Sequence, residues 1–204
     1  MIDAPPVRSA APVLLVHGLW DSPVRLHPLS RGLIERGIGT VATVHLRPAD
    51  GRAPIAALAD QVRTHAEALA RDHEHDRVDI VGFSMGALAS RYYLQRGGGR
   101  ALTRRFISIS GPHAGTLTAY GLPFAGVRQM RPGSALLAEL AADEDPWGEV
   151  EVHCIYTPLD MMIVPAASSI LAGARSVHRV PVPVHRWMLK DRRVLDLVAR
   201  LLTE

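Results

Sequence analysis

Apolar runs bounded by turn residues alternate with segments of helical periodicity along the whole chain, which predicts a mostly parallel sheet with helices on both faces. "PVLLVHG" (12–18) and "TVATVHL" (40–46) read as strands, and between them a helix is expected from Pro23 to Arg36, stopping at Gly37. Over 54–71 the apolar positions Ile55, Leu58, Val62, Ala66 and Leu69 share one helical face, with Pro54 suited to the first helical position. "VDIVGF" (78–83) then reads as a central strand, followed by a helix over 85–96 that ends in the glycines 97–99. "RFISIS" (105–110) is the next strand, and the irregular passage after it holds a short helix within 132–140, capped by Ser134. "EVHCIYT" (151–157) and "RSVHRVPV" (175–182) complete about six strands; Pro181 and Pro183 make the last one end early or lie at an edge. A helix over 191–202 closes the chain. The expected class is α/β.

Composition narrows this picture without redirecting it. The 204 residues are 48% apolar, with no linker-like stretch or charge shift, and read as one domain (1–204) with a core of Ala, Val and Leu. The single cysteine, Cys154, lies in a strand-like run and excludes an internal disulfide. A net charge of +3 could suggest nucleic acid, but all basic residues except Lys190 are arginines scattered from Arg8 to Arg200 with acids between them, so no nucleic-acid partner is expected. No stretch is long and apolar enough to span a membrane, and an early acid and three prolines interrupt the N-terminal apolar run. The protein is expected to be soluble and cytoplasmic, or secreted if a leader has been removed. "DHEHD" (72–76) resembles a metal cluster, but histidines two apart on a helix do not share a face, and no metal or cofactor is expected.

The chemistry concentrates at Gly82-Phe83-Ser84-Met85-Gly86, a G-x-S-x-G pattern set between a predicted strand and a predicted helix. Alone, such a pentapeptide can be glycine punctuation at an ordinary turn. In this setting it predicts a strained turn that exposes the Ser84 hydroxyl at the helix's positive end, beside a free Met85 amide. A serine hydroxyl needs a base and an orienting carboxylate. In this kind of fold both follow the serine in sequence, at the C-terminal ends of later strands. Asp160, just past the 151–157 strand, fits the acid against its rivals Asp143 and Asp145; His185, between the last strand and last helix, fits the base against His178 and His153. A second oxyanion donor is expected from Leu19 in "HGLW", with His17 holding that loop by hydrogen bonds.

The segments "VLLVHGLW", "VDIVGFSMG", "SGPHAGT", "YTPLDMMIVP" and "LAGARSVHRVPVPVHRWML" resemble the small bacterial lipases and esterases of the α/β-hydrolase superfamily, especially the compact lidless class, over roughly residues 12–200. The resemblance implies hydrolysis of carboxylic esters through an acyl-enzyme, with Ser84 as nucleophile, Asp160 and His185 completing the triad, and Leu19 and Met85 as oxyanion donors. The chain departs from the family in having Val184 before the histidine, and in a longer 111–150 stretch. Trp20, His113 and Phe124 are candidates for contact with substrate; His113 fits a pocket mouth or loop packing equally well. The segment 119–130, which carries Phe124, is either buried loop packing or an apolar wall or small lid. Short to medium acyl esters, drawn from small molecules or lipids, are the expected substrates. Thioester hydrolysis or acyl transfer would use the same residues, and a silent binding module would have lost one of the three. Oligomeric state is not legible.

Overall fold

The computed structural model describes residues 11–204. The N-terminal acid and the first two prolines, read above as interrupting a leader-like run, lie outside those residues. In chain order the strands are β1 (Val13–Val16), β2 (Val41–Val44), β3 (Val78–Phe83), β4 (Thr103–Ile109), β5 (Glu151–Tyr156) and β6 (Ser176–Arg179). They form one sheet in the order β2-β1-β3-β4-β5-β6, with every pair parallel. The helices are α1 (His27–Ile34), α2 (Ile55–Asp72), α3 (Met85–Arg96), the short α4 (Ala125–Gln129) and α5 (Ala135–Ala141), and α6 (Arg192–Thr203).

The continuous apolar strands are explained by cover on both faces. Along β1, Leu14 and Val16 join a core with α2 and α3, whereas Val13 and Leu15 join a second core with α1 and α6. The same alternation splits Ile80 from Val81 on β3 and Cys154 from Ile155 on β5. At the far end of the sheet from the elbow, Arg104 and Arg105 both donate to the Leu202 carbonyl and so fix the last turn of α6.

The elements differ from expectation where proline decides. The segment expected as one helix from Pro23 to Arg36 begins as a 3-10 turn over Pro23–Leu26, and α1 restarts at His27 with Pro28 in its first turn, where a missing amide costs nothing. Pro54 is the extended residue capping α2 rather than its first helical residue. The last strand stops at Arg179, ahead of Pro181 and Pro183, and it is an edge strand. Ser134 does cap α5, its hydroxyl accepting from the Leu137 amide at 3.3 Å. The 111–150 stretch contains α4, α5 and a 3-10 turn over Leu117–Gly121, and it buries Ala119, Val127, Leu137 and Trp147 in the core.

Candidate active site

Because all six strands are parallel, their C-terminal ends share one edge, and the loops leaving β1, β3, β5 and β6 converge there. Ser84 stands between β3 and α3 at φ 54°, ψ −126°, a conformation that costs a non-glycine residue about 1–3 kcal/mol. The turn is held by the Ser84 amide, which donates to the Ile109 carbonyl of β4 at 2.9 Å. Its flanking glycines answer to close approach. A Cβ on Gly82 would sit 2.6 Å from the Ala87 Cα, and one on Gly86 would run into the carbonyls of Val16 and His17. A Cβ on Gly18 would come within 2.9 Å of the Ser84 Cβ, so the loop after β1 lies directly against the serine.

That loop is braced by His17. Its Nε2 accepts from the Leu46 amide at 3.0 Å, which leaves Nδ1 as the protonated nitrogen, donating to the Gly18 carbonyl at 3.0 Å. Burial lowers its pKa, and the bond to Gly18 only partly offsets this. Trp20, itself at φ 54°, is tied to the exit of β2 by its amide bond to the Ala49 carbonyl at 2.7 Å. Among the described residues, the amides of Leu19 and Met85 have no hydrogen-bond partner.

Beyond β5, Asp160 is buried and fully engaged. Oδ1 accepts from the amides of Met162 and Ile163, each at 2.9 Å, and Oδ2 meets His185 Nδ1 at 2.7 Å. Burial alone would raise this carboxyl, but the His185 bond and the two amides outweigh it and hold the group below the ordinary carboxylate range. His185 opens a 3-10 turn (His185–Leu189) whose Met188 and Leu189 are anchored in the core. Its ring lies over Phe83, with centroids 4.7 Å apart. Its Nε2 is buried without a hydrogen-bond partner, and the Ser84 hydroxyl likewise has none among the described residues.

Two threonines not singled out by the sequence reading hold these loops. Thr157 donates to the Val182 carbonyl at 2.7 Å and accepts from the amides of Leu159 and Val182, joining the exit of β5 to the approach to His185. Thr116 donates to the Met162 carbonyl at 2.8 Å and accepts from the Val164 amide at 2.9 Å, bracing the Asp160 loop from outside. Their local sequence gives no signal, because each acts on a segment distant in the chain. Asp21, buried beside them, has one local and one distant partner, 3.5 Å from Arg25 Nε and 3.8 Å from Arg186 Nε.

Ser84 and His185 line one cavity of about 470 Å³, walled chiefly by Leu19, Phe83, Met130, Met162 and Ile163. Of the three residues expected at substrate, Trp20 is on this wall, half-exposed. His113 is not: it turns inward across Gly111 and bonds Ser108 Oγ through Nε2 at 2.6 Å. Phe124 is not on the wall either, its ring packing against the core beneath Arg52. The rival residues are employed elsewhere. Asp143 binds Gln95 and Arg96, Asp145 accepts from the Gly148 amide, and His153 and His178 share Ser176. Among the described residues, no group of three or more His, Cys, Asp or Glu is placed to hold a metal ion.

A six-stranded parallel sheet between two helical layers, with a serine on the strained turn after a central strand, defines the α/β-hydrolase fold. Solved structures with the same fold include Aspergillus fumigatus lipase B (TM-score 0.81, 17% identity, 95% of this chain and 52% of that one) and the mature Bacillus licheniformis lipase BlEst2 (TM-score 0.81, 14% identity, 96% and 93%). The Pyrococcus furiosus esterase Pf2001 is similar at TM-score 0.65 and 16% identity, over 96% of this chain and 83% of that one. The chain thus spans about half the length of the Aspergillus lipase and nearly all of the mature Bacillus one. No curated protein sequence matches it. The family described as palmitoyl protein thioesterase matches residues 12–149, more than half of the chain, and the protein belongs to that family. The match covers the serine elbow and stops ahead of Asp160 and His185, for which the geometry speaks alone.

Proposed function

We propose that the protein is a serine hydrolase that cleaves acyl esters or thioesters through an acyl-enzyme, working as a single α/β-hydrolase unit. The observation that carries this reading is the buried Asp160–His185 pair, whose histidine has an unpartnered Nε2 and lines the same cavity as the strained Ser84, its hydroxyl also unpartnered. Ser84 Oγ attacks the carbonyl carbon while its proton passes to His185 Nε2, and Asp160 holds the imidazole by Nδ1 and stabilises the cation that forms. The amides of Leu19 and Met85 receive the developing oxyanion, each contributing about 3 kcal/mol to the lowered barrier. His185 then returns the proton to the leaving oxygen or sulfur, the C–O or C–S bond breaks, and a water activated by the same nitrogen releases the acid.

An apolar cavity of about 470 Å³ suits an acyl group more than a polar acid. The 111–150 stretch supplies Thr116, Thr118 and Met130 to its wall, so it serves as part of the acyl site. Short to medium acyl chains are the first expectation. The family match favours thioesters as a second substrate class. Incubation with a fluorophosphonate probe should give one covalent adduct, on Ser84, and a series of p-nitrophenyl esters and acyl thioesters should then define chain length and leaving group. Folded protein that takes no label, or Ser84→Ala protein with full turnover, would sink the reading.

A further inference from the structure

The large apolar side chains left exposed are unevenly distributed. Of twelve among the described residues, most stand on loops leaving the C-terminal ends of strands, among them Trp20 after β1, Leu117 and Tyr120 after β4, Leu159, Met161 and Met162 after β5, and Val184 and Trp187 after β6. Hydrogen bonds and an ion pair stitch these loops into one surface. The Leu117 amide donates to the Val164 carbonyl at 2.9 Å, Thr118 Oγ1 donates to the Met162 carbonyl at 2.7 Å, and Arg186 reaches Asp21 across the cavity mouth. Met161 is the most exposed of the set, at 80%. Trp20, Met161, Met162 and Val184 line the cavity itself; single exposed apolar residues are ordinary, but a group of them on the loops around one cavity is not.

Charge is segregated on the same face. Segments 17–25, 111–131 and 157–190, which build the rim, hold two carboxylates, Asp21 and Asp160. Both are buried, one beside Arg25 and Arg186 and the other bonded to His185. The exposed charge of these segments is therefore positive, and in the 49–53 loop that packs against them Asp50 is paired with Arg52. Arg131 lies 5.0 Å over the Tyr120 ring and Lys190 lies 5.1 Å over the Trp187 ring, and neither has an acidic partner among the described residues. Aromatic rings each carrying a stacked cation match the boundary between water and lipid, where the ring enters the headgroup layer and the cation meets phosphate. A second copy of the chain would bring like charges face to face.

We propose that this face docks the protein onto an anionic lipid surface, with the apolar rim entering the headgroup layer and the cavity mouth held against the bilayer. Delivery of an acyl chain from that bilayer to Ser84 rests on the hydrolase reading; the docking itself does not.

The test is co-sedimentation of the full chain with phosphatidylcholine vesicles, with and without phosphatidylglycerol. Binding should require phosphatidylglycerol and weaken as salt is raised. The double variant Leu159→Glu, Lys190→Glu should lower partitioning roughly tenfold or more while retaining p-nitrophenyl acetate turnover. Ile34→Glu, at the end of α1, should change neither, and Ser84→Ala should bind as the wild type does. Equal partitioning onto both vesicle types, or wild-type binding by the double variant, would overturn the proposal. So would a fall in solution mass on introducing the double variant, which would assign the face to a second copy. If the wild type instead failed to turn over p-nitrophenyl acetate yet bound anionic vesicles, the docking proposal would stand and the hydrolase reading would fall.

Discussion

Strands β5 and β6 and the loops beyond them carry two histidine arrangements with different partners. Along the strands, His153 Nδ1 and His178 Nε2 both meet the hydroxyl of Ser176, each at 2.7 Å, so that a single oxygen joins the two rings. Just beyond the strand ends, His185 gives Nδ1 to the Asp160 carboxylate and leaves Nε2 without a partner on a cavity wall. Both arrangements have short bonds, the first half-buried and the second buried. His153 Nε2 is buried without a partner just as His185 Nε2 is, but the strand pair has no orienting carboxylate and lines no cavity with a serine, whereas His185 has Asp160 on Nδ1 and lines the cavity of Ser84. Histidine chemistry in this sheet is therefore decided by the orienting carboxylate and by the cavity the ring lines, more than by an unpartnered nitrogen or a short hydrogen bond as such.

Substitution at the two arrangements should separate them by orders of magnitude. His185→Ala is expected to lower kcat/KM for a p-nitrophenyl ester by at least about 10³-fold, and Asp160→Asn by roughly 10³–10⁴-fold through the wrong tautomer. His178→Ala should stay within about threefold of wild type, since it touches neither cavity nor triad. Combining Ser84→Ala with His185→Ala should cost little more than either alone, because the groups act as a unit. Turnover lost in His178→Ala and kept in His185→Ala would move the base to the strand pair.

The contrast also marks what could be read from residues alone. β3 and α3 fall at Val78–Phe83 and Met85–Arg96, where the apolar run, the serine between glycines and the terminal glycines placed them, because each signal is local. Pro181 and Pro183 likewise announced the end of β6. Asp160 and His185 could be proposed as partners because strand order dictates which loops meet at the sheet's edge. His113 and Phe124 could not be placed, since the direction a loop side chain takes depends on distant groups: Ser108 draws His113 inward, and Arg52 covers Phe124. Thr116 and Thr157 were invisible for the same reason, their partners lying across the fold.

Thr157 is the joint between the two arrangements, linking the end of β5 to Val182 ahead of His185. Thr157→Val keeps the shape but strips the hydroxyl from one buried carbonyl and two amides, which should cost about 1–3 kcal/mol of stability. If that joint sets the position of His185, kcat/KM should fall about 10–100-fold with KM little changed, the effect of small misplacement at a reacting group. Thermal unfolding and steady-state kinetics on the same preparation measure both. A loss of stability with kcat/KM intact would mean that Asp160 and the buried Met188–Leu189 turn position the imidazole unaided.

The smallest expected difference lies in how the histidines set acid stability. Burial lowers the pKa of His17, His113, His153 and His178 from the ordinary 6.5, with Arg91 adding to the effect at His113 and Arg200 at His178. A group with a depressed folded-state pKa is protonated first in the unfolded chain, so each leaves stability at its full value above about 6.5 and withdraws it as pH falls toward the folded pKa. Urea midpoints should therefore decline from pH 6.5 downward, before the bulk of the carboxylates titrate. The depressed Asp160 carboxyl acts in the same direction in a lower window, its stabilisation present above about 3.8 and lost as pH falls through its folded value. His113, wholly enclosed, should account for more of the early decline than the partly exposed His178, so His178→Asn should leave most of the slope in place. A slope abolished by His178→Asn would make the strand pair, and not the enclosed histidines, the acid-sensitive region of the protein.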